Sequence, residues 1–204
     1  MKAVLLSIQP NWCKFIWAGM KTVEVRKTRP TLETPFKVYI YCTGHDGWVM
    51  KSPKAGVQKM DSRVIGEFTC DKIDRLTHVG AMGSNEPPKL HIETSDLWHK
   101  PANDLLQAAC LTEAEAEKYL RGGDGCGWHI SDLKIYDKPR ELDEFSRFGF
   151  FGMGNSNCVC GNWRCENYEP SEDHMIPPTC KINGCSICRP PQSWCYVEEL
   201  QDVR

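Results

Sequence analysis

The sequence lacks a long hydrophobic run. None of its apolar stretches approaches the ~20 residues that a membrane-spanning helix needs. The first residues, 1–7, are mostly apolar, but Gln9, Pro10 and Lys14 break the run, and no small-residue cleavage site follows, as a signal peptide would require. We therefore expect a cytoplasmic protein without a membrane segment.

Internal repeats, low-complexity tracts and a strong net charge are also missing. The 204 residues are 41% hydrophobic and 25% charged, which is typical of one large soluble domain or of a domain with an appendage. The net charge of −2 is unevenly distributed. Residues 1–60 carry ten Lys/Arg and three Asp/Glu, whereas residues 61–204 carry fifteen and twenty-four. A basic N-terminal third predicts a basic cleft for an anionic ligand between the first helix and the second strand; a solvated basic face is the alternative interpretation.

The first thirty residues show two clear periodicities. Residues 3–8 form an apolar run that predicts a buried strand, and Pro10 suits the first turn of a helix. Apolar residues then recur at helical spacing until Gly19. Residues 22–27 alternate between apolar and polar, which predicts a strand with Glu24 and Arg26 on one face.

The rest of the chain predicts more strands than helices. We expect strands at residues 36–41, 63–70, 128–136 and 194–197. A helix should begin near residue 104, and Thr112 with Glu115 matches a capping box that opens another. Residues 78–102 show no clear period and predict an irregular excursion. This pattern favours an α+β fold built around a small mixed or antiparallel barrel.

Two segments near the N-terminus carry a family resemblance. LSIQP at residues 6–10 and GMKTVEVR at residues 19–26 resemble the signature of the ASCH domain. VIGEF at 64–68, GWHISDL at 127–133 and PPQSWCYV at 190–197 are similar to its later strands. The resemblance covers roughly residues 1–146 and 190–200.

The resemblance implies both a fold and a set of functions. It implies a PUA-like mixed β-barrel with flanking helices, formed by residues 1–146 plus 190–204, with a cleft beside the first helix. Residues 147–189 would then be a Cys-rich insertion before the last strand. RNA or nucleotide binding is the function usually inferred for this family. Some similar proteins are amidohydrolases that deacetylate N4-acetylcytidine, and ribonuclease activity is attributed to others.

The expected ligand-binding residues surround the second predicted strand. Lys21, Thr22, Glu24, Arg26 and Lys27 offer an ammonium, a hydroxyl, a carboxylate and a guanidinium that can contact phosphates and base edges.

Aromatic rings near the expected cleft could stack on bases. Trp12 and Trp128 are the candidates that we place in the ligand site, with His129 beside Trp128. Packing in the core is the competing interpretation for each ring, and a buried hydrogen bond is the competing interpretation for His129.

The alternative function is catalysis by a hydrolase that acts on a modified nucleoside or on RNA. Lys21 and Glu24 would then act as acid and base. Glu24 stands where the amidohydrolase relatives have a threonine, so Glu24 could activate water, or Thr22 could replace that threonine. These relatives also use a glutamate from elsewhere in the chain. By the resemblance, Glu113, Glu115 and Glu117 are all candidates for this residue.

Seven of the twelve cysteines fall between residues 158 and 195. The paired spacing of the first six suits a tetrahedral structural zinc site made by four of them. These six are Cys158, Cys160, Cys165, Cys180, Cys185 and Cys188. Reduced structural cysteines, disulfides and an iron–sulfur cluster are the alternatives. The acidic residues between the cysteine groups indicate a zinc-knuckle-like knob that could contact a protein partner.

Overall fold

A computed structural model describes residues 1–44, 47–80, 88–94, 99–147, 168–173, 175, 179–180, 187 and 189–200. Among these residues no helix is long and apolar enough to cross a membrane.

The described part of the chain forms three α-helices and fourteen strands. Their order is β1 (Lys2–Ile8), α1 (Pro10–Trp17), β2 (Val23–Arg26), β3 (Phe36–Cys42), β4 (Val49–Ser52), β5 (Gly56–Lys59), β6 (Arg63–Cys70), β7 (Ile73–Val79), β8 (Lys89–Glu93), β9 (His99–Pro101), α2 (Asn103–Ala108), α3 (Glu113–Leu120), β10 (Gly125–His129), β11 (Ser131–Arg140), β12 (Tyr168–Glu169), β13 (Thr179–Cys180) and β14 (Trp194–Glu198).

The strands form two five-stranded sheets and two small hairpins. The first sheet has the order β11-β6-β3-β1-β14, and the second has the order β2-β10-β7-β8-β9. The β1–β3 pair is parallel, and the other pairs in both sheets are antiparallel. The β-rich mixed architecture with few helices is therefore as the sequence predicted. In the described residues the strands make two separate sheets and no closed barrel.

Three hydrophobic clusters hold these layers together. The largest joins the first sheet to α1 and β10, with Trp128 and Phe68 among its buried side chains. A second cluster packs the other face of the second sheet against α2 and α3. The third covers the far face of the first sheet and includes Phe145 and Ile187. Both faces of each sheet are thus at least partly covered, which explains the near-continuous apolar content of β1 and β3.

The C-terminal strand returns to the N-terminal one. β14 pairs antiparallel with β1, from Lys2 opposite Glu198 to Leu6 opposite Trp194. Ile187, within the expected insertion, is fully buried, and its amide donates to the carbonyl of Phe145. The end of the Cys-rich segment is therefore attached to the same core as the two terminal strands.

Most local predictions match the structure, and two are wrong. The predicted strand at residues 128–136 is two strands in different sheets, with the chain changing sheets at Ile130. The predicted irregular excursion at residues 78–102 contains the end of β7, all of β8 and β9. In β8, Leu90 and Ile92 alternate with polar residues, and both side chains are buried in the cluster with α2, which stabilises this short strand.

Candidate functional site

A cavity of about 400 Å³ opens beside α1 and β2. Its wall comes from five separate segments of the chain. The lining residues are Ser7, Gln9, Trp12, Lys21, Glu24, Val25, Arg26, Thr43, Leu111, Glu115, Tyr119, Gln192 and Ser193. Four of the residues predicted to bind a ligand, Trp12, Lys21, Glu24 and Arg26, therefore lie together.

The local sequence explains how the turn after α1 positions Lys21 in the cavity wall. The helix starts at Pro10, whose missing amide hydrogen costs nothing in the first turn. It ends in a turn where Gly19 has a φ of +70°, a conformation that favours glycine. The amides of Met20 and Lys21 both donate to the carbonyl of Phe15, which folds the chain back into β2.

Lys21, Glu24 and Arg26 form a buried charged triad on the floor of the cavity. Lys21 Nζ lies 3.3 Å from Glu24 Oε2, and Arg26 Nη2 lies 3.0 Å from Glu24 Oε1. Lys21 also donates to the carbonyl of Ala109 at 2.6 Å, and Arg26 donates to the carbonyl of Ser7 at 2.5 Å. The three residues are only 3%, 5% and 8% exposed. The Glu24 carboxylate is thus the shared ion-pair partner of two cations at the floor of the cavity.

The alternation of β2 separates this triad from the core. Val23 and Val25 pack into the cluster with α2 and α3, and Glu24 and Arg26 point to the opposite face. All four residues of the strand are buried. The sequence correctly predicted the two faces, but not that the polar face is buried too, with Arg26 bonded to the carbonyl of Ser7 in β1.

The triad leaves two polar atoms without a hydrogen bond. Neither Glu24 Oε2 nor Arg26 Nε has a hydrogen-bond partner among the described residues. Glu24 Oε2 is within ion-pair distance of Lys21 but lacks hydrogen-bond geometry. Because unpaired buried polar atoms cost free energy, their position at the floor of a cavity is typical of a site that a ligand completes.

Two aromatic rings line the cavity. The ring centroid of Trp12 lies 5.1 Å from Lys21 Nζ. Tyr119 of α3 is 38% exposed, and Lys27 Nζ lies 5.5 Å from its ring centroid. Lys27 thus contacts a lining residue without belonging to the lining. Each ring offers an amphipathic surface on which a flat ligand can stack.

Glu115 is the one glutamate of the three sequence candidates that lines the cavity. It also completes the predicted capping box, accepting from the amide and the hydroxyl of Thr112. These hydrogen bonds lower the pKa of Glu115 and favour its charged form. Glu117 instead pairs with His78, and Glu113 is not among the lining residues.

The charges of the lining are balanced. Lys21 and Arg26 contribute two cations, and Glu24 and Glu115 contribute two carboxylates. The N-terminal excess of basic residues predicted a basic cleft, but the surplus lies on other surfaces. The cavity itself presents donors and acceptors of both signs.

Besides Lys27, three predicted ligand residues lie outside the cavity lining. Trp128 is fully buried between Phe36 and Trp194 in the largest hydrophobic cluster. Thr22 is exposed just before β2, where its backbone bonds to Ala108 and Ile130. His129 lines a second cavity on the face that packs against α2.

His129 has a carboxylate partner in that second cavity. Its Nε2 lies 2.7 Å from Asp74 Oδ2, and Lys72 Nζ lies 2.8 Å from Asp74 Oδ1. Burial raises the pKa of Asp74, but the hydrogen bonds from Lys72 and His129 outweigh this effect and leave the pKa lowered. His129 thus makes a partly buried hydrogen bond to Asp74 and lies outside the cavity of the triad.

Sequence reasoning missed most of the remaining wall. Thr43 and Leu111 lie far from residues 5–27 in sequence and have no distinctive local pattern, and Gln192 and Ser193 lie in the PPQSWCYV segment, which was not assigned to the ligand site. Tyr119 occupies a helical position that carries no functional signal either. Only the packing of α3 and of the segment before β14 around β2 brings these side chains together.

The predicted metal ligands lie outside the described residues, except that the backbone of Cys180 forms part of β13. The part of the chain that the structure does describe contains no cluster of metal-ligating side chains. Burial raises the pKa of the Cys13 and Cys70 thiols, so these core cysteines stay protonated.

Comparisons with known proteins give structural neighbours. No family model and no curated protein matches the sequence. The solved structures similar to this chain include the ASCH protein of Zymomonas mobilis, with 19% identity, a TM-score of 0.45 and coverage of 70% of this chain and 75% of that one. Two single-residue variants of the same protein match with TM-scores of 0.45 and 0.44, at 19% and 20% identity, covering 71% and 70% of this chain and 78% and 75% of theirs. These neighbours are ASCH domain proteins, the family that the N-terminal motif resembles.

Proposed function

We propose that the protein binds one nucleotide, free or within an RNA strand, in the cavity beside α1. The observation that carries this proposal is the buried Lys21–Glu24–Arg26 triad on the cavity floor. Burying three charges is costly, and a hydrophobic replacement would serve stability at least as well. Binding of a ligand that needs oriented donors and acceptors would explain why these charges are buried, whereas packing alone does not explain it.

The size and walls of the cavity support a ligand of nucleotide size. A volume of about 400 Å³ falls within the range of small-molecule sites. Trp12 and Tyr119 offer stacking surfaces, and the balanced charges suit a ligand with both a polar base and an anionic group. The near-complete burial of Arg26 and Lys21 favours one inserted nucleotide over a duplex lying across the surface.

Calorimetric titration with the four nucleoside monophosphates tests the proposal. Trp12→Ala should weaken the binding of the preferred nucleotide by about 5- to 150-fold, because a base–aromatic stack contributes ~1–3 kcal/mol. His129→Gln is the matched control, since His129 was also predicted to bind but lies in the other cavity. Equal losses in both variants, or no binding of any nucleotide to the native protein, would contradict the assignment.

Hydrolysis of an acylated nucleoside is the second candidate function. The contact of 3.3 Å between Lys21 Nζ and Glu24 Oε2 favours it. Glu24 would take a proton from the attacking water, and Lys21 would protonate the amine that leaves as the C–N bond breaks. Release of cytidine from N4-acetylcytidine, absent in Glu24→Gln, would support this activity. Unchanged substrate at stoichiometric protein would reject it.

We also propose, from the cysteine spacing, that residues 147–189 hold a structural zinc ion. Four of the six cysteines between Cys158 and Cys188 would bind it as thiolates. The stretch between the two groups of cysteines is polar and has too few apolar residues for a core of its own, so metal binding would supply its folding free energy.

Elemental analysis of the purified protein should find about one zinc ion per chain. Cys185→Ser should lower the zinc content and weaken the thermal stability of the segment. Cys110→Ser is the control, because Cys110 lies outside the segment and its thiol contacts the carbonyl of Met20. A stably folded, metal-free native protein would refute the zinc site.

A further inference from the structure

The β4–β5 hairpin presents a distinctive outer face. Val49 pairs with Lys59 and Lys51 pairs with Val57, so these four side chains share one side of the hairpin. Val49, Val57 and Lys59 are 55%, 67% and 52% exposed, and Lys51 is exposed as well. Two lysines and two valines therefore alternate across one solvent-facing surface, here called the hairpin face.

The opposite side of the hairpin is attached to the body of the protein. Met50 packs against the largest hydrophobic cluster. Ser52 is 3% exposed, and its hydroxyl donates to Asp137 Oδ1 of β11 at 3.0 Å. These contacts fix the direction in which the hairpin face points.

The hairpin is locally cationic in a protein of nearly neutral charge. Residues 47–60 contain three lysines and no acidic residue. Lys51 has no ion-pair partner among the described residues, and Lys59 lies 3.8 Å from Asp61. Lys54, at the turn, is 83% exposed and pairs loosely with Asp137 at 3.5 Å. This segment holds part of the basic surplus that the cavity lining does not use.

The chain links the hairpin to the cavity side of the molecule. Thr43 lines the cavity and follows β3, and the chain then continues through Trp48 into β4. Lys14 of α1 lies with its Nζ 5.9 Å from the ring centroid of Trp48. Because α1 also carries Trp12 of the cavity wall, one helix borders both features.

We propose that the hairpin face binds the phosphate backbone of a single-stranded RNA, one nucleotide of which occupies the cavity. The second half of this proposal rests on the proposed function. Lysines suit phosphates, and the exposed valines between them suit the apolar faces of riboses and bases that a single strand leaves open. Two valines are too little apolar surface for a membrane anchor.

Fluorescence anisotropy with a labelled oligouridylate of about ten nucleotides tests the hairpin face, since single-strand binders cover sites of this length. The variant Lys51→Gln/Lys59→Gln is compared with the native protein across ~0.05 to ~0.2 M salt. Two lost phosphate contacts should lower the salt slope by about 1.4 and the affinity at ~0.1 M salt roughly 25-fold. Lys100→Gln/Lys118→Gln, which removes the same charge elsewhere, should change neither.

A second titration separates the two proposals. Uridine monophosphate should bind the hairpin variant as tightly as it binds the native protein. If the native protein binds the oligomer but no mononucleotide, the hairpin contact stands without the cavity function. If the mononucleotide binds and the oligomer binds no tighter, the hairpin proposal fails alone. Equal oligomer affinity in the hairpin variant, or tighter native binding to vesicles of phosphatidylcholine and phosphatidylserine, would also overturn it.

Discussion

Glu24→Ala should lower the free energy of unfolding by about 3–5 kcal/mol. Glu24 is 5% exposed, and its carboxylate is the shared partner of Lys21 and Arg26. Removing it leaves two almost fully buried cations without their shared counter-charge. Urea unfolding followed by circular dichroism measures the change.

A surface ion pair provides the control for this prediction. Asp104→Asn removes the carboxylate that lies 3.7 Å from Lys100, with both side chains more than half exposed. Such pairs contribute well under ~1 kcal/mol, so this variant should unfold almost as the native protein does. Similar losses in Glu24→Ala and Asp104→Asn would contradict the buried-triad interpretation.

A combined substitution separates stability from binding. Lys21→Met/Glu24→Leu/Arg26→Met replaces the triad by apolar side chains of similar length. It should recover much of the stability lost in Glu24→Ala, because hydrophobic replacement of a buried charge network is often neutral or stabilising. Nucleotide binding should still be lost. Retained nucleotide binding in this variant would show that the triad does not contact the ligand.

Trp128→Ala should cost about 3–5 kcal/mol of unfolding free energy and leave nucleotide affinity unchanged. The indole is fully buried, packs edge-on against Phe36 and contacts Trp194. Truncation would open a large void where the first sheet meets β10. Because the ring does not line the cavity, calorimetric titration of the folded variant should give the native dissociation constant.

Trp128→Phe is the matched variant. It keeps an aromatic ring and removes an indole nitrogen that has no hydrogen-bond partner among the described residues. The lost packing and the removed unpaired donor act in opposite directions, so this variant should unfold much closer to the native protein than Trp128→Ala does. A loss of nucleotide binding in Trp128→Phe would contradict this prediction and indicate that the Trp128 ring contacts the ligand.

The local elements could be predicted wherever their signal is contained in a few neighbouring residues. The Pro10 start of α1, the Thr112–Glu115 capping box and the alternation in β2 all match the structure. In each case the deciding interactions are backbone geometry, a side-chain cap or the period of apolar residues. These interactions lie within one turn or one strand and do not depend on distant partners.

Predictions failed where the deciding partner is remote. The change of sheet at Ile130 follows from pairing with β2 and β7 on one side and with β6 on the other. The short strands β8 and β9 exist because they extend the second sheet beside α2. β8 alternates over only five residues and β9 has only three, all exposed, so neither strand stands out in the sequence alone.

The candidate site divides in the same way. The N-terminal motif alone predicted Lys21, Glu24 and Arg26 as neighbours. Strand alternation puts Glu24 and Arg26 on one face, and Lys21 lies in the turn between α1 and that strand. Trp128 and His129 follow each other in sequence, yet strand alternation sends one into the core and the other to a different cavity. Neighbouring positions in a strand cannot share one face.

The amino-acid sequence by itself determined the helix starts, the two faces of β2 and the presence of a charged triad, because short-range sterics and hydrogen bonds suffice for these. Only the tertiary structure decided that the triad is buried, that Tyr119 and Gln192 complete its cavity and that the lining charges balance. Those properties depend on which distant segments cover β2. Burial and electrostatic environment arise from contacts between elements, which no local pattern contains.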